Sequence, residues 1–123
     1  MSDCGFCLVG ADGGETSNFY LTRIRTARKT HQCYECFDPI APGDRYEETT
    51  AKWDGAISRC RTCLPCVDIA TSLSCDGSRM WGGLWEELQE CRYEVGVACL
   101  LKLKTAAGKE KLRAFINKTK GLT

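Results

Sequence analysis

The sequence lacks several features that would assign the chain to a familiar class. It has no run of about 18 apolar residues, so no membrane span is expected. Its N-terminal residues show no basic stretch followed by an apolar one, so we expect no secretory signal and predict a cytoplasmic location. Histidine occurs once, and the 17 basic side chains nearly balance the 16 acidic ones. An overall charge near zero argues against a protein devoted to binding polyanions.

Cysteine, by contrast, is abundant, with ten in 123 residues. A content this high indicates either a disulfide scaffold or metal sites. Metal is favoured because a reducing cytosol keeps thiols from pairing, and because a C-x2-C turn directs two sulfurs at one centre. That spacing recurs in the pairs Cys4 with Cys7, Cys33 with Cys36, Cys60 with Cys63, and Cys63 with Cys66.

Charge is unevenly distributed along the chain. Residues 1–29 have a net charge of +1, residues 30–99 have −6, and residues 100–123 have +6. A basic C-terminal tail beside an acidic body indicates either a contact with a polyanion or a solvated helix face.

The middle of the chain has the pattern of a β-hairpin followed by a helix. Residues 45–53 predict a strand, Asp54-Gly55 a two-residue turn, and residues 56–59 a return strand that ends at Cys60. The chain is then expected to turn into a helix with Pro65 in its first position. Residues 19–26 alternate loosely and predict a strand or an extended lead-in.

The C-terminal third has the periodicity of helices. A helix is predicted from about residue 83 to 93, because Leu84, Leu88 and Cys91 share one apolar face. Residues 95–107 are also expected to be helical, with an interruption at Gly108. A short final helix is expected to follow, with its apolar residues on one side: Leu112, Phe115 and Ile116.

The best-defined motif is a set of four cysteines. A C-x2-C knuckle, 23 residues with a turn and a hairpin, and a second C-x2-C pair that opens a helix give the spacing of a treble-clef site. The N-terminus of such a helix stabilises thiolates. Zinc accepts four thiolates tetrahedrally, and this closed set leaves no position for a catalytic water. We therefore predict a structural zinc site, and no enzyme, from Cys33, Cys36, Cys60 and Cys63.

These expectations combine into one α+β domain, with a small treble-clef zinc core (knuckle, β-hairpin, helix) and a helical C-terminal region packed on it. Residues 1–26 are interpreted as an N-terminal segment that holds a further cysteine knuckle, residues 27–78 as the zinc core, and residues 79–123 as the helical region. Folding is expected to depend on zinc, because so small a core gains much of its stability from the metal.

A set of residues in and around this motif carries a resemblance to a known group of proteins. They are His31, Cys33, Cys36, Ile40, Gly43, Asp44, Tyr46, Trp53, Asp54, Gly55, Cys60, Cys63 and the run from Gly83 to Leu88. Together they resemble small phage- and prophage-encoded zinc proteins with a LIM- or zinc-ribbon-like four-cysteine treble clef. Most such proteins have no assigned activity, so the resemblance implies a zinc fold and a viral origin. Because phages carry many small proteins that block host machinery, it also implies a host-directed inhibitor, such as an anti-CRISPR protein, in the host-cell cytoplasm.

Four further cysteines are enough for a second zinc ion. Cys4 and Cys7 would form one knuckle, and Cys66 and Cys75 would reach it from the helix. The alternative is that Cys66 and Cys75 are buried small hydrophobic residues and that the N-terminal pair is a loose end. The sequence therefore predicts one zinc ion and leaves a second one open.

The remaining histidine and cysteines have simpler interpretations. His31 could replace a ligand of the second site, but a hydrogen bond to a cysteine sulfur is preferred. Cys91 and Cys99 fall at helical positions and are expected in the core. Redox catalysis is disfavoured because the chain shows no βαβ context for a C-x-x-C motif. Deaminase chemistry is disfavoured because Pro65-Cys66 lacks the second cysteine of the Pro-Cys-x2-Cys motif.

Two hypotheses about function remain. The first is a non-enzymatic protein that binds and inhibits or adapts a host protein complex, with Trp53 and Trp81 as anchors because tryptophan is favoured at binding hot spots. The second is a zinc-dependent nucleic-acid-binding regulator that uses basic residues. The candidates are Arg23, Arg25, Arg28 and Lys29, and, in the tail, Lys102, Lys104, Lys109, Lys111, Arg113, Lys118 and Lys120, of which Lys109, Lys111 and Arg113 are the preferred partner contacts.

Overall fold

The computed structural model describes residues 4, 6, 19–53, 56–74 and 83–119, with only the backbone described for residues 19, 20, 52 and 53. Within these residues the chain forms antiparallel strands first and helices afterwards. The strands are β1 (Phe19–Thr26), β2 (His31–Gln32), β3 (Pro39–Ile40), β4 (Arg45–Trp53) and β5 (Ala56–Cys63). The helices are α1 (Leu64–Ser72), α2 (Leu84–Glu90), α3 (Val97–Leu100) and α4 (Ala106–Thr119). The expected mixture of helix and sheet is confirmed.

The main sheet has three strands in the order β1-β4-β5, and β2 and β3 form a separate two-stranded ladder. Strand β4 is central, and both of its neighbours run antiparallel to it. Trp53 pairs with Ala56, so two residues connect β4 to β5, as a tight hairpin requires. The predicted Asp54-Gly55 turn itself lies outside the described residues.

Strand β5 is longer than the sequence predicts, and this difference changes which cysteines lie together. The return strand was expected to end at Cys60, but it continues to Cys63. The ladder with β4 accounts for the extension, because β4 begins at Arg45 and its residue Tyr46 pairs with Cys63. The turn into the helix therefore falls after Cys63.

The helices also differ from the prediction in their bounds. Pro65 lies in the first turn of α1, as expected, although in its second position rather than its first. The stretch predicted to be helical from 95 to 107 contains only the four residues of α3 and the start of α4. Gly108 does not interrupt the helix; it lies buried in the first turn of α4. The predicted apolar side of the last helix is confirmed, since Leu112 and Ile116 are buried.

The core lies between the helices, and Asp68 of α1 fixes their arrangement. Its carboxylate accepts hydrogen bonds from the backbone N–H groups of Lys104 and Thr105, the hydroxyl of Thr105 (2.7 Å) and the hydroxyl of Ser72. Helix α4 thus begins against α1. The apolar side chains that pack around this junction are Ile69, Leu73, Leu84, Leu88, Leu112 and Ile116.

Helix α4, with 14 residues, is the longest helix of the described chain. None of the described helices combines the length and the apolar composition needed to cross a membrane.

Candidate metal centre

Four cysteine sulfurs meet in the structure, those of Cys33, Cys36, Cys63 and Cys66. All four Sγ atoms lie within 4.8 Å of one another, and Cys36 Sγ lies 3.8 Å from Cys63 Sγ. In a tetrahedral site with zinc–sulfur bonds of about 2.3 Å, neighbouring sulfurs are about 3.8 Å apart. The group therefore has the size that a single tetrahedral metal ion needs.

Two local structures supply the four sulfurs. Cys33 and Cys36 lie on a turn after β2, which the N–H of Phe37 closes by donating to the carbonyl of Cys33 at 3.0 Å. Phe37 has a φ of 65°, the left-handed conformation that this tight reversal requires. Cys63 ends β5 and is the N-cap of α1, and Cys66 lies in the first turn of that helix. The sheet and the helix therefore hold both halves of the site.

Backbone and side-chain N–H groups point at the sulfurs. Cys33 Sγ accepts from the backbone N–H groups of Glu35 at 3.4 Å, Cys36 at 3.5 Å and Cys63 at 3.4 Å. The indole Nε1 of Trp85 donates to Cys66 Sγ at 3.4 Å. Donors of this kind favour sulfur as a thiolate, the form that binds metal.

The pKa values of three of these thiols, those of Cys33, Cys63 and Cys66, are shifted by their contacts with one another. Hydrogen bonds from the Cys63 and Cys66 thiols hold the pKa of Cys33 far below its ordinary value. The same contact with Cys33 raises the pKa of Cys63 to about 12, and the pKa of Cys66 is raised as well. The protein alone thus stabilises one thiolate here and opposes ionisation of the two thiols that donate hydrogen bonds to it. A bound dication is the group that lets all four ionise.

One predicted ligand is not in this group. Cys60 was expected beside Cys33, Cys36 and Cys63, but Cys66 occupies that place. Cys60 pairs with Thr49 and Cys63 with Tyr46, so the two cysteines lie on opposite faces of the sheet, about 10 Å apart along an extended strand. Because β5 continues to Cys63, the C-x2-C turn that brings two sulfurs together is the pair Cys63 and Cys66 at the strand-to-helix junction.

The second zinc site that the sequence left open does not form from the four cysteines considered for it. Cys4 forms a disulfide with Cys99, at a Cα–Cα distance of 4.6 Å. Cys66 belongs to the four-cysteine group described above. Cys7 and Cys75 lie outside the described residues. Cys99 is buried, as predicted, but as half of a disulfide rather than as a thiol in the core.

His31 and Cys91 stand apart from the metal-binding group, which contains only cysteines in the part of the chain that the structure describes. The ring of His31 lies 5.5 Å from that of Tyr46, centroid to centroid. Partial burial, and then the nearby positive charges of Arg61 and Lys29, lower the pKa of His31. Cys91 is half-buried, and its thiol contacts the carboxylate of Glu87.

Neighbouring helices contact the cysteine knuckle on two sides. The buried carboxylate of Glu35 accepts a hydrogen bond of 3.1 Å from the N–H of Leu84, at the start of α2. Lys111 of α4 forms an ion pair of 3.0 Å with Asp38. Burial alone would lower the pKa of Lys111, but this ion pair and the nearby cysteine thiolates raise it. Both contacts pass from the helices to the turn that carries Cys33 and Cys36.

The structure describes the side chains of three of the five residues predicted to bind a partner, namely Lys109, Lys111 and Arg113. Lys111 is the partner of Asp38, so its charge is already engaged within the chain. Lys109 is half-buried and Arg113 is exposed on α4. Trp81 and the side chain of Trp53 lie outside the described residues. The role of these residues in binding stays a prediction.

Comparison of the chain with protein-family models, with curated proteins and with solved structures finds no match. The resemblance to phage zinc proteins and the host-directed role that it implies therefore stay predictions.

Proposed function

We propose that this protein is a non-enzymatic binding module whose fold is stabilised by one zinc ion held by Cys33, Cys36, Cys63 and Cys66. The observation that carries the proposal is the convergence of four sulfurs within 4.8 Å. An all-thiolate tetrahedral set is typical of structural zinc, because it fills every coordination position and leaves none for substrate or water. Binding rather than catalysis is the function that such a closed centre supports.

The surroundings of the sulfurs support the structural role. Cys33 and Cys66 are completely buried, so a bound ion would be shielded from small-molecule substrates. The order of knuckle, β4-β5 hairpin and α1, with the last two sulfurs at the start of the helix, supports the treble-clef arrangement expected from the sequence. In this arrangement the metal would join the knuckle to the sheet and the first helix, and would contribute directly to folding.

Metal analysis of the purified protein tests the proposal. We expect one zinc ion per chain by elemental analysis, and loss of the folded circular dichroism spectrum when a strong chelator removes it. Iron is the main competitor, because a tetrahedral set of four thiolates also suits iron. Iron in place of zinc, or an unchanged spectrum after complete metal removal, would contradict the proposal.

Two single substitutions distinguish the ligand set in the structure, which includes Cys66, from the set predicted from the sequence, which includes Cys60. Cys66→Ser removes a sulfur of the observed group and is expected to abolish stoichiometric zinc binding. Cys60→Ser is the matched control. It makes the same change of sulfur to oxygen at a cysteine on β5 that lies on the opposite face of the sheet from Cys63. The control is expected to retain one zinc ion per chain. A zinc-loaded Cys66→Ser protein together with a zinc-free Cys60→Ser protein would favour the ligand set expected from the sequence.

A further inference from the structure

One face of the main sheet carries a concentration of arginine. In the β1-β4-β5 ladder Arg23 is opposite Glu48, and Glu48 is opposite Arg61. Two residues further along, Leu21 is opposite Thr50, and Thr50 is opposite Arg59. Residues paired across antiparallel strands project from the same face, and residues two apart on one strand do so as well. We call the shared face of Arg23, Arg25, Arg59 and Arg61 the arginine face.

The arginine face is positively charged and open. Arg23, Arg25 and Arg59 are exposed, and Arg61 is half-buried. Glu48 is the only carboxylate on this face among the residues whose side chains are described, and it forms an ion pair of 3.2 Å with Arg25. Four guanidinium groups thus face one carboxylate. The overall charge of the chain, +1, hides this local excess of three positive charges.

Exposure on this sheet follows the strands rather than one face. On the central strand β4, Tyr46 and Glu48 of the arginine face are buried, and so are Thr49 and Ala51 of the opposite face. On the outer strands β1 and β5, Arg23 and Arg59 are exposed. The arginine face is therefore accessible along its two outer strands, where like charges concentrated on exposed side chains attract a polyanion.

From this placement we infer that the arginine face binds single-stranded nucleic acid. This inference rests on the proposed function, because it names the partner class of the binding module. Guanidinium groups bind phosphates through paired N–H donors and also stack on base planes. The exposed apolar side chains of Leu21 (55% exposed) and Ile57 (66%) lie on the same face and offer contact area to unstacked bases.

The width of the surface favours a single strand over a duplex. The three strands span about 10 Å between β1 and β5, because neighbouring strands are about 4.8 Å apart. The major groove of DNA admits an α-helix or a two-stranded ribbon, which are narrower than the face of a three-stranded sheet. Binding through phosphates and base planes is also tolerant of sequence, so we expect little sequence preference.

Fluorescence anisotropy with the zinc-loaded full chain tests the inference. The probes are labelled oligothymidylate and oligouridylate of about 16 nucleotides, near the upper site size of small single-strand-binding folds. If four phosphates are neutralised, the slope of log K against log salt is about −2.8. Affinity should then fall about fifty-fold between 50 and 200 mM salt.

Substitution of the arginine face gives a quantitative check. The double variant Arg23→Thr/Arg59→Thr removes one charge from each outer strand and keeps a residue that suits a β-strand. The slope of log K against log salt is expected to become shallower, at about −1.4. The affinity of this variant should then fall only about sevenfold between 50 and 200 mM salt. The matched control, Arg45→Thr/Arg92→Gln, removes two charges outside the arginine face, one from the opposite face of β4 and one from the segment after α2, and should leave the slope unchanged.

Failure of this inference can be distinguished from failure of the zinc proposal. Zinc content and circular dichroism are measured on each sample, so a zinc-loaded, folded protein that binds no oligonucleotide overturns this inference alone. Tighter binding to a 16-base-pair duplex, or equal binding to polyglutamate, overturns the assignment to a single strand. A control variant that loses as much of the salt slope as the sheet variant would show that overall charge, rather than the arginine face, governs binding, and would overturn the inference.

Discussion

The indole Nε1 of Trp85 donates a hydrogen bond of 3.4 Å to the sulfur of Cys66. The same side chain packs against Phe115 of α4, with ring centroids 5.4 Å apart. Trp85 thus links the last helix to the metal centre. Contacts that orient a metal ligand affect its affinity for the ion although they do not touch it.

Trp85→Phe removes this donor and keeps an aromatic ring. We expect the affinity for zinc to fall by about tenfold, the lower end of the range for lost outer contacts of metal ligands. Competition with a zinc-binding dye measures the change. Phe115→Leu is the control, because it disturbs the packing around Trp85 and leaves the N–H donor in place. An equal loss of affinity in both variants would show that packing, rather than the hydrogen bond, is responsible.

The sequence predicts that four cysteines come together, but it assigns one of the four to the wrong residue. Three of the four observed sulfurs, those of Cys33, Cys36 and Cys63, belong to the predicted site. The fourth was missed because Cys60-x2-Cys63 and Cys63-x2-Cys66 have the same spacing, and spacing alone does not tell a strand from a turn. Pro65 was a usable signal, since it places the start of the helix after Cys63.

Contacts between distant segments could not be predicted from local pattern. The bond between Cys4 and Cys99 joins residues 95 apart in sequence, and no periodicity indicates it. Gly108 was expected to break a helix because of its low propensity. Its position inside α4 follows instead from Asp68, a residue on another helix, which approaches too closely for a side chain at that position.

Asp68 provides a prediction about acid stability. Burial alone would raise its pKa, but hydrogen bonds from Thr105, Lys104 and Ser72 outweigh this and hold the pKa below its ordinary value. A carboxyl group whose pKa is lower in the folded state stabilises the fold above its unfolded pKa, about 3.9. That stabilisation is lost as the pH falls through the lower, folded value. Asp68→Asn should therefore cost about 2 kcal/mol of unfolding free energy at pH 7, as expected for hydrogen bonds to a charged group.

Urea unfolding of both proteins between pH 8 and pH 5 measures this difference. The difference in unfolding free energy between the wild type and Asp68→Asn should stay constant over this pH range, because the pKa of Asp68 lies below it. Thr71→Val, on the same helix, is a control, since the hydroxyl of Thr71 bonds only within α1 in the described structure. A difference that widens as the pH falls from 7 to 5 would contradict the prediction, because a carboxyl group whose folded pKa is raised by burial stabilises the fold as it takes up its proton.

Helix propensity alone predicts that Gly108→Ala raises the unfolding free energy, and we expect the opposite. In a helix interior, alanine is favoured over glycine by about 1 kcal/mol. A Cβ at position 108, however, would meet the carboxylate of Asp68 and the hydroxyl of Thr105. We expect Gly108→Ala to lower the unfolding free energy by about 1–3 kcal/mol, the usual cost of overpacking.

A double-mutant cycle identifies the cause. In the Asp68→Ala background the obstructing carboxylate is absent, so the cost of Gly108→Ala should become much smaller. The exposed position Ala114 serves as the control for propensity, and Ala114→Gly should destabilise the protein by about 1 kcal/mol in either background. An equal cost of Gly108→Ala in both backgrounds would exclude Asp68 as the neighbour responsible.

The Cys4–Cys99 disulfide predicts a stability that depends on redox conditions. A bond that closes a loop of 95 residues limits the unfolded chain, and the chain-entropy account gives up to about 4–5 kcal/mol for a loop of this size. Cys4→Ser should lower the unfolding free energy in non-reducing buffer, with zinc present throughout so that the metal centre stays filled.

A phosphine reductant should bring the wild type down to the level of the Cys4→Ser protein and leave the variant unchanged, because only the wild type has the bond to lose. Alkylation of the unfolded, chelator-treated protein, followed by mass spectrometry, measures the bond directly and should find Cys4 and Cys99 protected in non-reducing buffer. Full alkylation of both residues there, or a stability gap that the reductant does not close, would mean that the two sulfurs are neighbours without a bond. Cys91→Ser is the matched control, since Cys91 is outside both the disulfide and the four-sulfur group and its loss should not alter the response to the reductant.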